Sequence, residues 1–287
     1  QHLLTFGEQG FDLGQRRAAA RGQDQFGRFV GDDAAKGVVA RVLQIGLRES
    51  FEVGLAGIRI YRARGQRGIR IDLQRQAHVH TLNLWPFYRP HGLTVDGQGR
   101  LFVMSEAHNT LLRFSDPVKR HVPDLAVPSG GYKTHLFALS RDAETAYALN
   151  LLSNTVTKIR PNDPTFTPVA MVPGPVPEGN VLSADETLLY VANRGDDTLV
   201  AVDTRSMQVV ARGKTRRDPN RVYRIQGADG QDRLMTTNSG EHSLSVFGTD
   251  LVEQRCLALP SNPLALSLHP TERDEPPGST ERGIVGR

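Results

Sequence analysis

One short step recurs along this chain at a nearly fixed distance, and its period constrains the fold more than any other feature. Asn109-Thr110-Leu111, Asn154-Thr155-Val156, Asp197-Thr198-Leu199 and His242-Ser243-Leu244 are spaced 45, 43 and 45 residues apart. Four residues before each anchor stands a small polar residue: Ser105, Asn150, Asn193 and Asn238. Ahead of these, Leu101-Phe102-Val103, Ala146-Tyr147-Ala148, Leu189-Tyr190-Val191 and Leu234-Met235-Thr236 each read as a strand. Further upstream lie the turns Asp96-Gly97-Gln98-Gly99, Asp142-Ala143-Glu144-Thr145, Asp185-Glu186-Thr187 and Asp229-Gly230-Gln231-Asp232. Each turn follows a short apolar run such as Gly92-Leu93-Thr94-Val95.

Asp and Gly supply the backbone conformations that a tight hairpin needs. Alternating apolar residues give each strand a face for a neighbouring sheet. After each anchor comes a third strand, clearest in Leu199-Val200-Ala201-Val202-Asp203, and a fourth follows in Gln208-Val209-Val210-Ala211. Four short strands every 43–45 residues is the period of a propeller blade. The predicted fold is therefore all-β, a β-propeller of four-stranded antiparallel blades. Four blades are clear, fewer than the expected ring needs, and its closure stays open.

The stretch Leu189-Tyr190-Val191-Ala192-Asn193-Arg194-Gly195-Asp196-Asp197-Thr198-Leu199-Val200-Ala201-Val202-Asp203 resembles the YVTN family of bacterial β-propeller repeats. The first blade, Pro90-His91-Gly92-Leu93-Thr94-Val95-Asp96, is similar to the related NHL type. The resemblance covers four blades and the start of a fifth. It implies a seven-bladed closure and a periplasmic or extracellular setting. It implies no single activity, because proteins of this kind include lactonases, electron-transfer subunits, surface proteins and binding proteins. The Gly-His and Trp-Asp signatures of WD40 repeats are absent, and Trp85 is the only tryptophan.

The pattern stops at both ends. Residues 1–84 form an atypical N-terminal segment, residues 85–272 carry the blades, and residues 273–287 form a polar tail. Residues 1–80 hold 13 Lys and Arg against 8 Asp and Glu, a net of +5 that leaves −1 for residues 81–287, so the blades are near neutral. All 17 prolines lie at or after Pro86. Blade five begins with Asn262-Pro263-Leu264-Ala265-Leu266-Ser267-Leu268 and then dissolves. Three explanations stand side by side. Residues 38–80 form degenerate blades, with Gly57-Ile58-Arg59-Ile60-Tyr61 and Gly68-Ile69-Arg70-Ile71-Asp72 flanking the turn Arg64-Gly65-Gln66-Arg67; or the chain is a fragment with non-native ends; or a partner chain completes the ring. The start at Gln1 fits a trimmed chain, and no signal peptide is visible. No apolar run is long enough to span a bilayer.

Propellers bind ligands at the central channel, so the residues around the start of each innermost strand are the candidates: His91, His135, Glu178 and Arg221 or Arg224. Two imidazoles, a carboxylate and a guanidinium could hold a divalent metal or polarise a carbonyl; strand capping is the alternative. His108 and His242 fall at hairpin turns and read as solvated. Asn150, Asn193 and Asn238 recur blade after blade and read as structural hydrogen-bonding positions. His78-Val79-His80 is half of a metal site at most, and Cys256 reads as a buried, inert thiol on an outer strand. One cysteine excludes a four-cysteine zinc site, an intrachain disulfide and a c-type haem attachment. Gly213-Lys214-Thr215 lacks the earlier glycine of a phosphate loop, and no Gly-x-Ser-x-Gly elbow exists. The arginines between Arg59 and Arg75 have only Tyr61 interleaved, so base stacking is unsupported. A near-neutral blade region also argues against nucleic acid.

The expected function is a non-enzymatic YVTN-type binding or scaffold protein, taking a small molecule or protein at the channel face and needing no cofactor. The alternative is a lactonase-like hydrolase acting on a sugar lactone, with His91, His135, Glu178 and Arg221 around the channel and a divalent metal in that case.

Overall fold

The structure is a computed structural model that describes residues 3–7, 50–54, 59–64, 67–72, 77–227 and 229–268. Residues 273–287, expected as a polar tail, lie outside the described residues.

The chain runs through β1 (Leu3–Gly7), β2 (Ser50–Gly54), β3 (Arg59–Arg64), β4 (Arg67–Asp72) and β5 (Ala77–Asn83). The four repeats follow. The first holds β6 (Pro90–Val95), β7 (Leu101–Ser105), β8 (Thr110–Phe114) and β9 (Leu125–Pro128). The second holds β10 (Thr134–Leu139), β11 (Ala146–Asn150), β12 (Thr155–Ile159) and β13 (Val169–Met171). The third holds β14 (Pro177–Leu182), β15 (Leu188–Asn193), β16 (Thr198–Asp203) and β17 (Gln208–Lys214). The fourth holds β18 (Pro219–Gln226), β19 (Asp232–Asn238), β20 (Ser243–Phe247) and β21 (Glu253–Ala258), and β22 (Pro263–Leu268) comes last. Each repeat folds into its own four-stranded antiparallel sheet in sequence order. No helix of the described residues is long and apolar enough to cross a membrane.

Two further sheets lie outside the four repeats. Strands β2 to β5 form a fifth four-stranded sheet of the same order, with Arg64 opposite Arg67 across the β3–β4 hairpin. This stretch carries no Asn-Thr anchor and no Asp-led turn, so it escapes the pattern that marks the other four. Strand β22 pairs with β1, Leu3 opposite Leu268. The inner strands β2, β6, β10, β14, β18 and β22 succeed one another in contact.

The alternation of each second strand explains the stacking. On β7, Leu101 and Val103 pack with Leu82 and Leu84, while Phe102 and Met104 face the opposite way, against Ala146 and Ala148. On β15, Leu189 and Val191 join Tyr147 and Leu149, whereas Tyr190 and Ala192 join Val222, Leu234 and Phe247. A strand buried on both faces separates two hydrophobic layers. At ~25 cal/mol per Å² of apolar surface, these layers are the main force holding sheet to sheet.

The polar repeat positions supply the hairpins and staples. Asp96, Asp142, Asp185 and Asp229 each accept the backbone N–H two residues on, closing the first turn of each repeat. The anchors Asn109, Asn154, Asp197 and His242 all have φ between 50 and 55°. Asn and Asp tolerate that left-handed conformation best among residues with side chains. Their side-chain oxygens then reach the next sheet: Asn109 accepts from Thr134 N at 3.1 Å, Asn154 from Val176 N at 2.9 Å and Asp197 from Asp218 N at 2.9 Å.

Candidate functional site at the inner rim

The starts of the inner strands β6, β10, β14 and β18 are built alike. Arg89, Lys133, Val176 and Asp218 precede β6, β10, β14 and β18 with φ of 50–54°. Their carbonyls accept from the first residue of the neighbouring hairpin: Glu106, Leu151, Arg194 and Ser239, at 2.9–3.1 Å. Just inside the strand, each inner strand carries one residue more than its partner, a β-bulge. The bulges fall at His91, His135, Glu178, Asn220 and Leu264, and a bulge re-aims the side chain it carries.

Close approach of the inner strands then crowds these residues together. A Cβ on Gly92 would meet the His135 carbonyl at 3.3 Å, and one on Gly179 would meet the Arg221 Cα at 2.7 Å. Glycine is therefore required directly after Glu178, and close contact is tolerated directly after His91.

The structure brings His91, His135, Glu178 and Arg221 into one cluster. The His91 and His135 rings lie 3.6 Å apart between centroids, tilted by 36°. His135 Nε2 lies 3.2 Å from Glu178 Oε1, and its Nδ1 lies 3.9 Å from Glu106 Oε1. Arg221 Nη1 approaches Glu178 Oε1 at 3.7 Å and donates to Asn220 Oδ1 at 2.6 Å. Arg194 reaches Glu178 Oε2 at 3.8 Å, and Arg89 reaches Glu106 Oε2 at 3.3 Å. Arg224 pairs instead with Asp232 at the far end of β18 and takes no part.

The electrostatics follow from burial and these neighbours. Burial, then the charges of His135, Arg221, Arg89 and Lys133, lower the His91 pKa to about 2, so its ring is neutral. Burial alone would raise the carboxyls of Glu106 and Glu178. His135 and the surrounding cations outweigh it and hold both below the ordinary carboxylate value.

Three polar atoms of the cluster are buried without a hydrogen-bond partner: His91 Nδ1, His135 Nδ1 and Glu178 Oε2. The other three such atoms among the described residues are Ser261 Oγ, Asn262 Oδ1 and Asn193 Oδ1. Glu106 and Arg194 are site residues that reasoning from the inner strands alone overlooks. The same repeat holds their signal: the residue after the small polar position is Glu106, Leu151, Arg194 and Ser239, a position that varies in charge between constant neighbours.

The remaining candidates fall elsewhere. Asn150 and Asn238 are buried and bond to hydroxyls of the adjacent strand: Thr155 and Thr157, and Ser243 and Ser245. Asn193 donates to Thr198 Oγ1 at 3.0 Å. His108 and His242 sit exposed in hairpins, with His108 stacked on Tyr88. The side chain of His78 lies outside the described residues, while the His80 ring lies 4.4 Å from that of His121. Cys256 sits on the outer strand β21 but is exposed, not buried, because the last strand of a sheet has no further strand to cover it. For a metal, the donor set does not fit: among the described residues no group of three or more His, Cys, Asp or Glu converges to hold one. The Glu178 and Glu106 carboxylates face His135 and arginines instead.

No family model matches the chain, and no curated protein matches it. Solved structures do. One is the β-propeller domain of Cps50 (Swd1) from Myceliophteria thermophila, 11% identical over 73% of this chain and 70% of that one, with a TM-score of 0.59. The fold is a β-propeller. A functionally unknown protein from Desulfotomaculum acetoxidans DSM 771 is 15% identical over 76% of this chain and 74% of its own, with a TM-score of 0.62. A putative 6-phosphogluconolactonase from Bacteroides uniformis ATCC 8492 is 15% identical over 75% of this chain and 72% of its own, with a TM-score of 0.58. Likeness at these identities is likeness of fold, so the propeller's chemistry rests on its own residues.

Proposed function

We propose that this propeller is a non-enzymatic binding protein of the YVTN type that holds a small polar molecule at the inner rim. The observation that carries the reading is that three buried polar atoms of one cluster, His91 Nδ1, His135 Nδ1 and Glu178 Oε2, have no hydrogen-bond partner. A buried polar group left unpaired costs about 1–3 kcal/mol. Three in one cluster, each carried on a bulge, are what a ligand with matching donors and acceptors would satisfy.

Thermal unfolding of the full chain against neutral polyols, hydroxy acids, amino acids and quaternary amines tests this. The expected result is a saturable rise in Tm with at least one class, lost in His135→Phe and Glu178→Gln. A ligand at a hundred times its Kd stabilises by about 2.7 kcal/mol, well within reach of the assay. No rise with any class, or equal rises in the two variants, overturns the reading.

A second reading has one observation in its favour. His135 Nε2, 3.2 Å from Glu178 Oε1, has the geometry of a general base oriented by a carboxylate. In a lactonase-like hydrolase such a base would deprotonate the attacking water, with the Arg221 guanidinium beside the developing oxyanion. Acid release from glucono-lactone above the spontaneous rate, abolished in His135→Phe, would favour it over binding alone.

A further inference from the structure

Cations outnumber carboxylates at the inner rim. Arg89, Lys133, Arg194 and Arg221 surround two carboxylates, Glu106 and Glu178, and the His91 ring among them is neutral. Arg89 pairs with Glu106 at 3.3 Å, while the pairs on Glu178 are loose: 3.7 Å for Arg221 and 3.8 Å for Arg194, both beyond hydrogen-bonding length. Arg221 makes its contacts through Nη1 alone, to Asn220 and Glu178. Lys133 is exposed and has no carboxylate within ion-pair distance among the described residues. Donor capacity is left over in the cluster.

Acceptor capacity is left over as well. Glu178 Oε2 is an acceptor that takes no hydrogen bond. The turn into β22 adds two more buried polar atoms, Ser261 Oγ and Asn262 Oδ1. Asn262 stands directly before β22. Thr237 links this turn to the cluster, since its hydroxyl oxygen accepts from Arg221 N at 3.0 Å and its hydroxyl donates to the Leu264 carbonyl at 3.3 Å. Five of the six unpartnered atoms thus lie at the starts of inner strands, from β6 round to β22.

We infer that the ligand of this rim is an oxyanion carrying hydroxyl groups, a hydroxy-carboxylate or a phosphorylated polyol. Its anionic group docks among Lys133, Arg89, Arg221 and the His91 imidazole, and its hydroxyls donate to Glu178 Oε2 and Asn262 Oδ1. The inference rests on the binding reading above and sharpens it. Hydrogen bonds to a charged group contribute more than neutral ones, which makes charge the main discriminator between ligands of equal size.

Three compounds on one carbon skeleton test it: glycerol, glycerate and glycerol 3-phosphate, titrated into the full chain by calorimetry at low and at 0.5 M salt. Glycerate or glycerol 3-phosphate should bind at least tenfold more tightly than glycerol, and the two together show whether carboxylate or phosphate is preferred. The exposed Lys133→Ala change should weaken the anion about tenfold or more, leave any glycerol binding unmoved, and flatten the salt dependence. Circular dichroism confirms that the variant is folded. Should glycerol bind as tightly as the anions, the inference falls and the binding reading stands. Should none of the three bind while a quaternary amine or amino acid raises the Tm, the inference again falls alone. If no class in either experiment binds, both fall.

Discussion

Acid should weaken this propeller through one ring, His91. Its folded pKa of about 2 lies far below its ordinary value of 6.5. The unfolded chain therefore takes up a proton at this residue as the pH falls through 6.5, and the folded chain does not until about 2. Stability contributed by the neutral ring is present above pH 6.5 and is lost progressively below it, by up to about 1.4 kcal/mol for each unit. Between pH 7 and pH 5 the loss from His91 comes to about 2 kcal/mol. Glu106 and Glu178 are carboxylates in both proteins, so their contribution cancels in the comparison. The perturbation is His91→Phe, which keeps a ring against His135 and removes the proton site; Nδ1 has no partner to lose. Urea unfolding of both proteins, followed by circular dichroism at pH 7, 6 and 5, gives the comparison. The wild type should lose about 2 kcal/mol more than the variant across that range. Parallel losses in the two proteins would falsify the account of His91 as a buried, neutral ring.

Three other substitutions probe separate layers. Glu178→Gln should cost about 1–3 kcal/mol at pH 7, because Arg221 and Arg194 lose their counter-charge. The carboxylate's contribution is present above about 4.5 and lost as the pH falls through its lowered folded value, so the two proteins should converge in urea midpoint at acid pH; a gap that persists to pH 3 would count against it. Gly179→Ala should destabilise by about 1–3 kcal/mol, since the new methyl would meet the β18 backbone at 2.7–3.0 Å, and its Tm tells directly. Asn238→Ala, which strips the bonds to Ser243 and Ser245, should cost about 1–3 kcal/mol while leaving ligand-induced Tm shifts intact.

How much of this was legible in the residues depends on whether a position repeats. The anchors at 109, 154, 197 and 242 and the Asp-led turns are periodic because each does the same work in each sheet, so the strands between them could be read directly. Strands β2 to β5 make the same sheet order with other residues, and periodicity is silent there. The site shows the converse. His91, His135 and Glu178 were found by counting to equivalent positions, yet neither the bulges nor the hairpin partners Glu106 and Arg194 could be counted. A bulge is a mismatch between two strands and exists only once they pair. The pairing of β1 with β22 is likewise invisible, since nothing local in Leu3–Gly7 names a partner at Pro263–Leu268. The exposure of Cys256 depends on which strand lies outermost, a property of the sheet and not of the residues around it.

That last pairing has a consequence during synthesis. Most strands meet a partner a few residues further along; β1 is made early and β22 late, with Leu3 opposite Leu268. At ribosomal speeds of ~5–20 residues per second, β1 waits on the order of tens of seconds for its mate. A strand in that condition offers its open edge to any other chain nearby. Chains released before Pro263 is added never acquire the mate at all. Truncated translation products of this protein should therefore be found in the insoluble fraction of the cell, with Leu3–Gly7 among their first contacts.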